Sequence, residues 1–140
     1  MNPGTKLLHG TASWFEMVGK AMAEAASNAA LPSDLQVSFV ERYTDGVELS
    51  KGFVQGLRFE ITNGAPSFRV GAGWHEQADV TVEITSAGAR KLNVLRSADP
   101  AYLKARDELL RSGEMRVVGD PSRMGAWLDT VHDPIVDRTS

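Results

Sequence analysis

Apolar residues recur at helical spacing over the first part of the chain. At about 100° per residue, Trp14, Val18, Ala21, Ala25 and Ala29 share an arc with Phe15, Met17 and Met22, while Glu16, Lys20, Glu24 and Ser27 fall opposite. This pattern predicts an amphipathic helix with one broad buried face. Ser13-Trp14-Phe15-Glu16 has capping-box spacing at its start, and Pro32 stops it. The buried face is bulky at first and nearly all alanine at its end, so its later turns cover apolar surface without filling the space in front of them.

From Leu35 the period changes to two. Leu35, Val37 and Phe39 alternate with Gln36 and Ser38, which predicts a strand over Leu35 to Tyr43 before a turn at Asp45-Gly46. The next alternation places Phe53, Gln55, Leu57, Phe59 and Ile61 on one face and Val54, Gly56, Arg58, Glu60 and Thr62 on the other, ending at the hairpin pair Asn63-Gly64. A short strand follows over Ser67 to Val70. Gly71 to Gln77 reads as a loop, and Asp79 to Thr85 forms a further strand with Val80, Val82 and Ile84 inward. These strands are expected to form an antiparallel meander.

Helical spacing returns after Thr85-Ser86 in Ala89, Leu92 and Leu95. It returns again after Asp99-Pro100, a good cap followed by proline at the first helical position. There Tyr102, Ala105 and Leu109 share a face, and Gly113 ends the helix. Met115 to Val118 alternates as a last strand. Asp120-Pro121 then opens an expected final helix with Met124, Trp127, Leu128 and Val131 in one stripe. The order defines an α+β fold, an antiparallel-rich sheet of about five strands with helices on one face. The chain is expected to form a single domain, 1–140, with its core at about 11–132 and loosely held ends at Met1 to Gly10 and Asp133 to Ser140.

Composition narrows the functions open to such a domain. Fifteen Lys and Arg against eighteen Asp and Glu give a formal charge of -3, without the basic excess that phosphate-backbone binding needs, so nucleic acid is not expected as a partner. Zero cysteines exclude disulfides, thiolate metal sites and cysteine nucleophiles. Glu16, Lys20 and Glu24 interrupt the early apolar residues, and no apolar run reaches spanning length. The expectation is a cytoplasmic protein with no transmembrane segment.

Candidate chemistry is sparse. His9, His75 and His132 are far apart in sequence and none has metal-ligand spacing, so neither a metal site nor a cofactor is expected. No phosphate loop and no Gly-x-Ser-x-Gly elbow occurs. His75 with Glu76 and Asp79 could form an acid–base group beside a pocket mouth, although a polar loop explains them as well. Trp74, in the same loop, is expected to pack back on the sheet. Arg58, Glu60, Arg69 and Glu83 fall on polar strand faces, where cross-strand ion pairs form. Arg106 sits among Tyr102, Leu103, Leu109 and Leu110, either snorkelling outward or meeting an acidic head group. Asp129 and His132 read as structural. No catalytic residue is assigned.

The ordered set Phe59-Glu60-Ile61-Thr62-Asn63-Gly64, Ala78-Asp79-Val80-Thr81-Val82-Glu83-Ile84-Thr85, Asp99-Pro100 and Ser112-Gly113-Glu114-Met115-Arg116-Val117-Val118-Gly119-Asp120 resembles the sterol carrier protein 2 family of lipid-binding domains. The resemblance covers roughly 35–131, with the leading helix fitting by type. The stretch between Pro100 and Gly113 is longer than usual for the family, and the Arg138-Thr139-Ser140 ending does not match a Ser-Lys-Leu tail. The resemblance implies non-covalent binding or transfer of a lipid, sterol or fatty acyl ligand in a cavity between sheet and helices, and it brings no catalytic motif. The side chains expected to line that cavity are Trp14, Met17, Phe39, Phe53, Leu57, Phe59, Leu95, Tyr102, Met115, Met124, Trp127 and Leu128.

Two other readings remain open at this stage. One is a small cavity enzyme, an isomerase, cyclase or dehydratase acting on a hydrophobic intermediate, with Tyr43, His75, Glu76, Asp79 or Tyr102 as acid–base groups. The other is a homodimeric interaction module. An enzyme needs a titratable group facing into the cavity, whereas a carrier needs only apolar walls and a mouth.

Overall fold

The computed structural model describes residues 5–140. Helix α1 spans Ala12–Asn28, and its cap is Thr11 rather than Ser13. Thr11 has the extended backbone a cap requires, and its hydroxyl accepts from the Trp14 N–H at 3.2 Å. Ser13 already lies inside the first turn. The helix stops ahead of Pro32, where Ala30 turns the chain with a φ of 51°.

Six strands follow, β1 (Val37–Tyr43), β2 (Glu48–Ser50), β3 (Phe53–Thr62), β4 (Ala65–Ala72), β5 (Val80–Ile84) and, after two helices, β6 (Met115–Val118). Asn63 and Gly64 both take positive φ, 51° and 76°, as a two-residue hairpin needs, and this sets Thr62 opposite Ala65. β4 is longer at both ends than its alternation suggests because it pairs with β3 along nearly its whole length.

The strands do not form a simple meander. β3 lies between β1 and β4, and β2 pairs with its first residues. β5 then crosses to the other side of β1 and runs parallel to it, with β6 antiparallel beyond. Turn residues report where a chain reverses, not which edge it returns to. The crossing is made by the loop after β4, which is held to the open face of the sheet: the Arg42 guanidinium donates to the carbonyls of Gly73 and Glu76 at 3.1 and 2.7 Å. On the same face Glu76 accepts from Arg58 and Arg69, and Arg42 pairs with Glu83. Desolvation opposes ionisation of Glu76, but the Arg69, Gly73 and Arg58 donors outweigh it and hold the carboxyl below its usual range. Trp74 remains about half exposed in that loop.

The opposite face carries the core. Val37, Phe39 and Tyr43 of β1, Leu57, Phe59 and Ile61 of β3, and Val80, Val82 and Ile84 of β5 pack in one cluster with α1. A bulge between Val54 and Leu57, with Gly56 at a φ of 149°, interrupts the expected period of β3. Phe53 therefore leaves the face of Leu57 and lies against Arg69 on the open side, with the cation 4.5 Å from its ring centroid.

Helices α2 (Ser86–Asn93) and α3 (Pro100–Ser112) begin at Thr85 and Asp99, whose side chains accept from Gly88 and Ala101, and Gly113 ends α3 with a φ of 83°. The single helix expected after Pro121 is instead two 3₁₀ turns, Pro121–Met124 and Ala126–Thr130, followed by helix α4 (His132–Asp137). Gly125 interrupts them with a φ of 114°, and the Trp127 indole N–H takes the Met124 carbonyl at 2.7 Å. The C-terminal segment is also not loose. Leu7 pairs with Thr139, and the buried Trp14 indole donates to the Thr139 hydroxyl at 2.9 Å. Of the N-terminal segment expected to be loose, residues 1–4 lie outside the described residues.

Candidate functional site

Between the sheet and the helices lies a cavity of about 560 Å³. Trp14, Val18 and Met22 of α1 form one wall, and Phe39, Glu41, Leu57 and Val82 form the floor across three adjacent strands. Tyr102, Leu103, Arg106 and Leu110 of α3 form the opposite wall with Met115 and Val117 of β6, while Leu128, Val131 and Ile135 close one end. Leu103 and Leu110 are 51% and 43% exposed, so the cavity opens along α3.

Six of the twelve side chains expected to line a cavity stand in this wall: Trp14, Phe39, Leu57, Tyr102, Met115 and Leu128. Met17, Phe59 and Met124 are buried in the core outside it, and Leu95 packs against that core. Trp127 packs on Phe59 with ring centroids 5.5 Å apart and borders a separate groove. That groove is where the alanine end of α1 faces: Ala21, Ala25 and Ala29 look onto Ala126, Trp127 and Pro134 rather than onto the sheet. The open space between α1 and the sheet thus lies along Trp14, Val18 and Met22, in the bulky first part of the helix. Phe53 is on the far face of the sheet.

Several polar side chains interrupt the apolar wall, and two of them, Glu41 and Arg106, carry polar groups without partners among the described residues. Glu41 follows Phe39 and precedes Tyr43 on the inward face of β1, paired across the strands with Leu57 and Val82. Among the described residues its carboxyl has no hydrogen-bond or ion-pair partner, and burial pushes it up to about 7. β1 has strands on both sides, so what surface Glu41 retains opens into the cavity. Arg106 lines the other wall, and its Nε is buried without a hydrogen-bond partner among the described residues. Its guanidinium lies 6.0 Å from the Tyr102 ring centroid. Glu41 escaped the sequence analysis, although the period of two that carries Val37 and Phe39 inward also carries residue 41 inward.

The other expected acid–base groups lie elsewhere. His75 and Glu76 belong to the loop on the open face, and Asp79 is bound to the Ser38 N–H and hydroxyl. The Tyr43 hydroxyl lies 3.0 Å from His9 Nε2, and the His9 ring also meets Trp14 edge-on, with ring centroids 4.6 Å apart. His132 borders the cavity with its Nε2–H given to the Leu95 carbonyl at 2.7 Å. Among the described residues no group of three or more His, Asp or Glu side chains could hold a metal ion, and no helix is long and apolar enough to cross a membrane.

No family model and no curated protein matches this sequence. Solved structures do. The crystal structure of sterol carrier protein 2 aligns over 94% of this chain and 99% of its own, with a TM-score of 0.53 at 15% identity. The solution structure of the sterol carrier protein domain 2 of Helicoverpa armigera aligns over 97% of each chain, with a TM-score of 0.51 at 12% identity. The architecture is therefore that of the sterol carrier protein 2 fold, the class that the strand and turn motifs imply.

Proposed function

We propose that this protein binds an apolar small molecule of the lipid class, non-covalently, and carries or sequesters it. The observation that supports this reading is the cavity between α1, α3 and the sheet, whose volume of about 560 Å³ falls within the range of about 300–1,000 Å³ usual for small-molecule sites. A closed, dry apolar cavity of that size would cost about 13 kcal/mol at about 24 cal/mol per Å³. The total stability of a domain is about 5–15 kcal/mol. Such a space is therefore tolerable only when something fills it or when it opens to solvent, and a guest chain with its apolar surface buried gains about 25 cal/mol per Å². The two solved structures of the same fold are named as sterol carrier proteins, which agrees with this reading.

The test is direct. Mass spectrometry of the denatured, purified protein is expected to release a hydrophobic small molecule, and stearic acid is expected to raise the melting temperature progressively with its free concentration. Absence of both a bound molecule and any stabilisation by fatty acids or sterols overturns the proposal.

A further inference from the structure

The cavity floor is apolar except at one point, and that point bears an acid. Glu41 stands between Phe39 and Tyr43 along its strand and between Leu57 and Val82 across the sheet. The α1 side chains that border the same cavity are Trp14, Val18 and Met22, none of which ionises. The other titratable or charged side chains bordering the same cavity are Tyr102 and Arg106 on α3, Asp129 in the second 3₁₀ turn and His132 on α4, whose Nε2–H is already given to Leu95. None of them pairs with Glu41. Surroundings this apolar, with no partner for the carboxylate, favour the neutral acid below about pH 7, and that form has one O–H to give and an oxygen to receive. Across the cavity the Arg106 Nε is buried without an acceptor among the described residues. Unsatisfied groups inside a wall cost free energy unless an occupant supplies the missing partners.

We propose that Glu41, as the neutral acid, donates a hydrogen bond to an oxygen set within the apolar body of the ligand, while Arg106 meets an acidic end. This rests on the lipid-binding reading and narrows it: the ligand class is an oxygenated fatty acid or similar amphiphile rather than a plain hydrocarbon chain. The floor position of Glu41 and the mouth position of Arg106 on α3 place the mid-chain oxygen deep and the acidic end toward solvent.

The experiment compares stearic acid with a series of oxo-stearic acids, each carrying one ketone at successive carbons, by calorimetry at about pH 6 and about pH 8. The best oxo acid is expected to bind roughly tenfold tighter than stearic acid at the lower pH, and to lose that advantage at the higher pH, because an ionised Glu41 cannot donate. E41Q keeps a donor that does not titrate and is expected to retain the preference at both pH values. E41L is expected to abolish the preference while still binding stearic acid, which also shows that it has folded. R106L is expected to weaken all the acids alike. The inference is overturned if no oxo acid outcompetes stearic acid at the lower pH, or if E41L keeps the preference. If stearic acid itself fails to bind, the lipid-binding reading falls as well; if it binds without discrimination, only this inference falls.

Discussion

His9 and Glu41 are both held away from their charged forms, and their effects on stability have opposite signs. Burial, and then the Arg90 charge, lowers His9 from 6.5 to about 4. Its contribution is therefore fully present above about 6.5 and is lost as pH falls toward 4, where the unfolded chain takes up the proton first. Burial raises Glu41 from 4.5 to about 7, so its contribution is present below about 4.5 and is lost as pH rises toward 7. Between about pH 4.5 and 6.5 the two slopes offset each other. We expect the urea midpoint of the wild type to change little across that window, to rise with pH in Glu41→Gln and to fall with pH in His9→Gln. Parallel profiles in the three proteins would contradict the assignment.

Gly19 illustrates a second residue-scale effect. A Cβ built there would stand 2.3–2.6 Å from the Phe68 ring of β4, so the glycine is what allows α1 to lie close to the sheet. Alanine would contribute about 1 kcal/mol in helix propensity but would force a packed ring aside at a cost of about 1–3 kcal/mol. Gly19→Ala is expected to lower stability by about 0–2 kcal/mol in denaturant unfolding, and a stabilised variant would show that α1 stands off the sheet.

At the scale of elements, the local signals place helices and turns well. Thr85 and Asp99 cap the helices that follow them, Gly113 ends α3, and Asn63-Gly64 makes the hairpin, because each depends on the backbone of a few neighbouring residues. Elements whose ends depend on distant partners are less legible. The tail is held by a contact 125 residues away in sequence, from the Trp14 indole to Thr139. Thr139→Val is nearly isosteric but leaves that buried N–H without an acceptor. It is expected to cost about 1–3 kcal/mol and to speed proteolysis at the C-terminal segment; unchanged stability would mean that the clamp contributes little. The bulge at Gly56 is of the same kind, since it reverses the face of Phe53 without changing the apolar count of the strand.

For the whole molecule, the cavity makes a prediction about where extra volume is tolerated. Val82 borders the cavity beside Glu41, whereas Phe59, equally apolar, is enclosed in the core. Val82→Trp is expected to change stability by less than about 1.5 kcal/mol and to abolish the melting-temperature shift produced by stearic acid. Phe59→Trp is expected to lose about 1–3 kcal/mol by overpacking. Equal losses in both variants would indicate side chains filling the space along Val82.

The periods of hydrophobicity, the caps and the turn pairs were enough to read an α+β chain with a leading amphipathic helix, because those signals act within a few residues of one another. Six of the wall residues were legible for the same reason: they are large apolar groups on faces that the periods define. Tertiary structure alone decided that β5 runs beside β1, that the alanine end of α1 faces a groove on its own side, and that open space lies instead between Trp14, Val82 and α3. It also decided that Glu41 and Arg106 border one cavity. Burial and pairing of a side chain depend on what long-range packing brings against it, and no local pattern in the sequence carries that information.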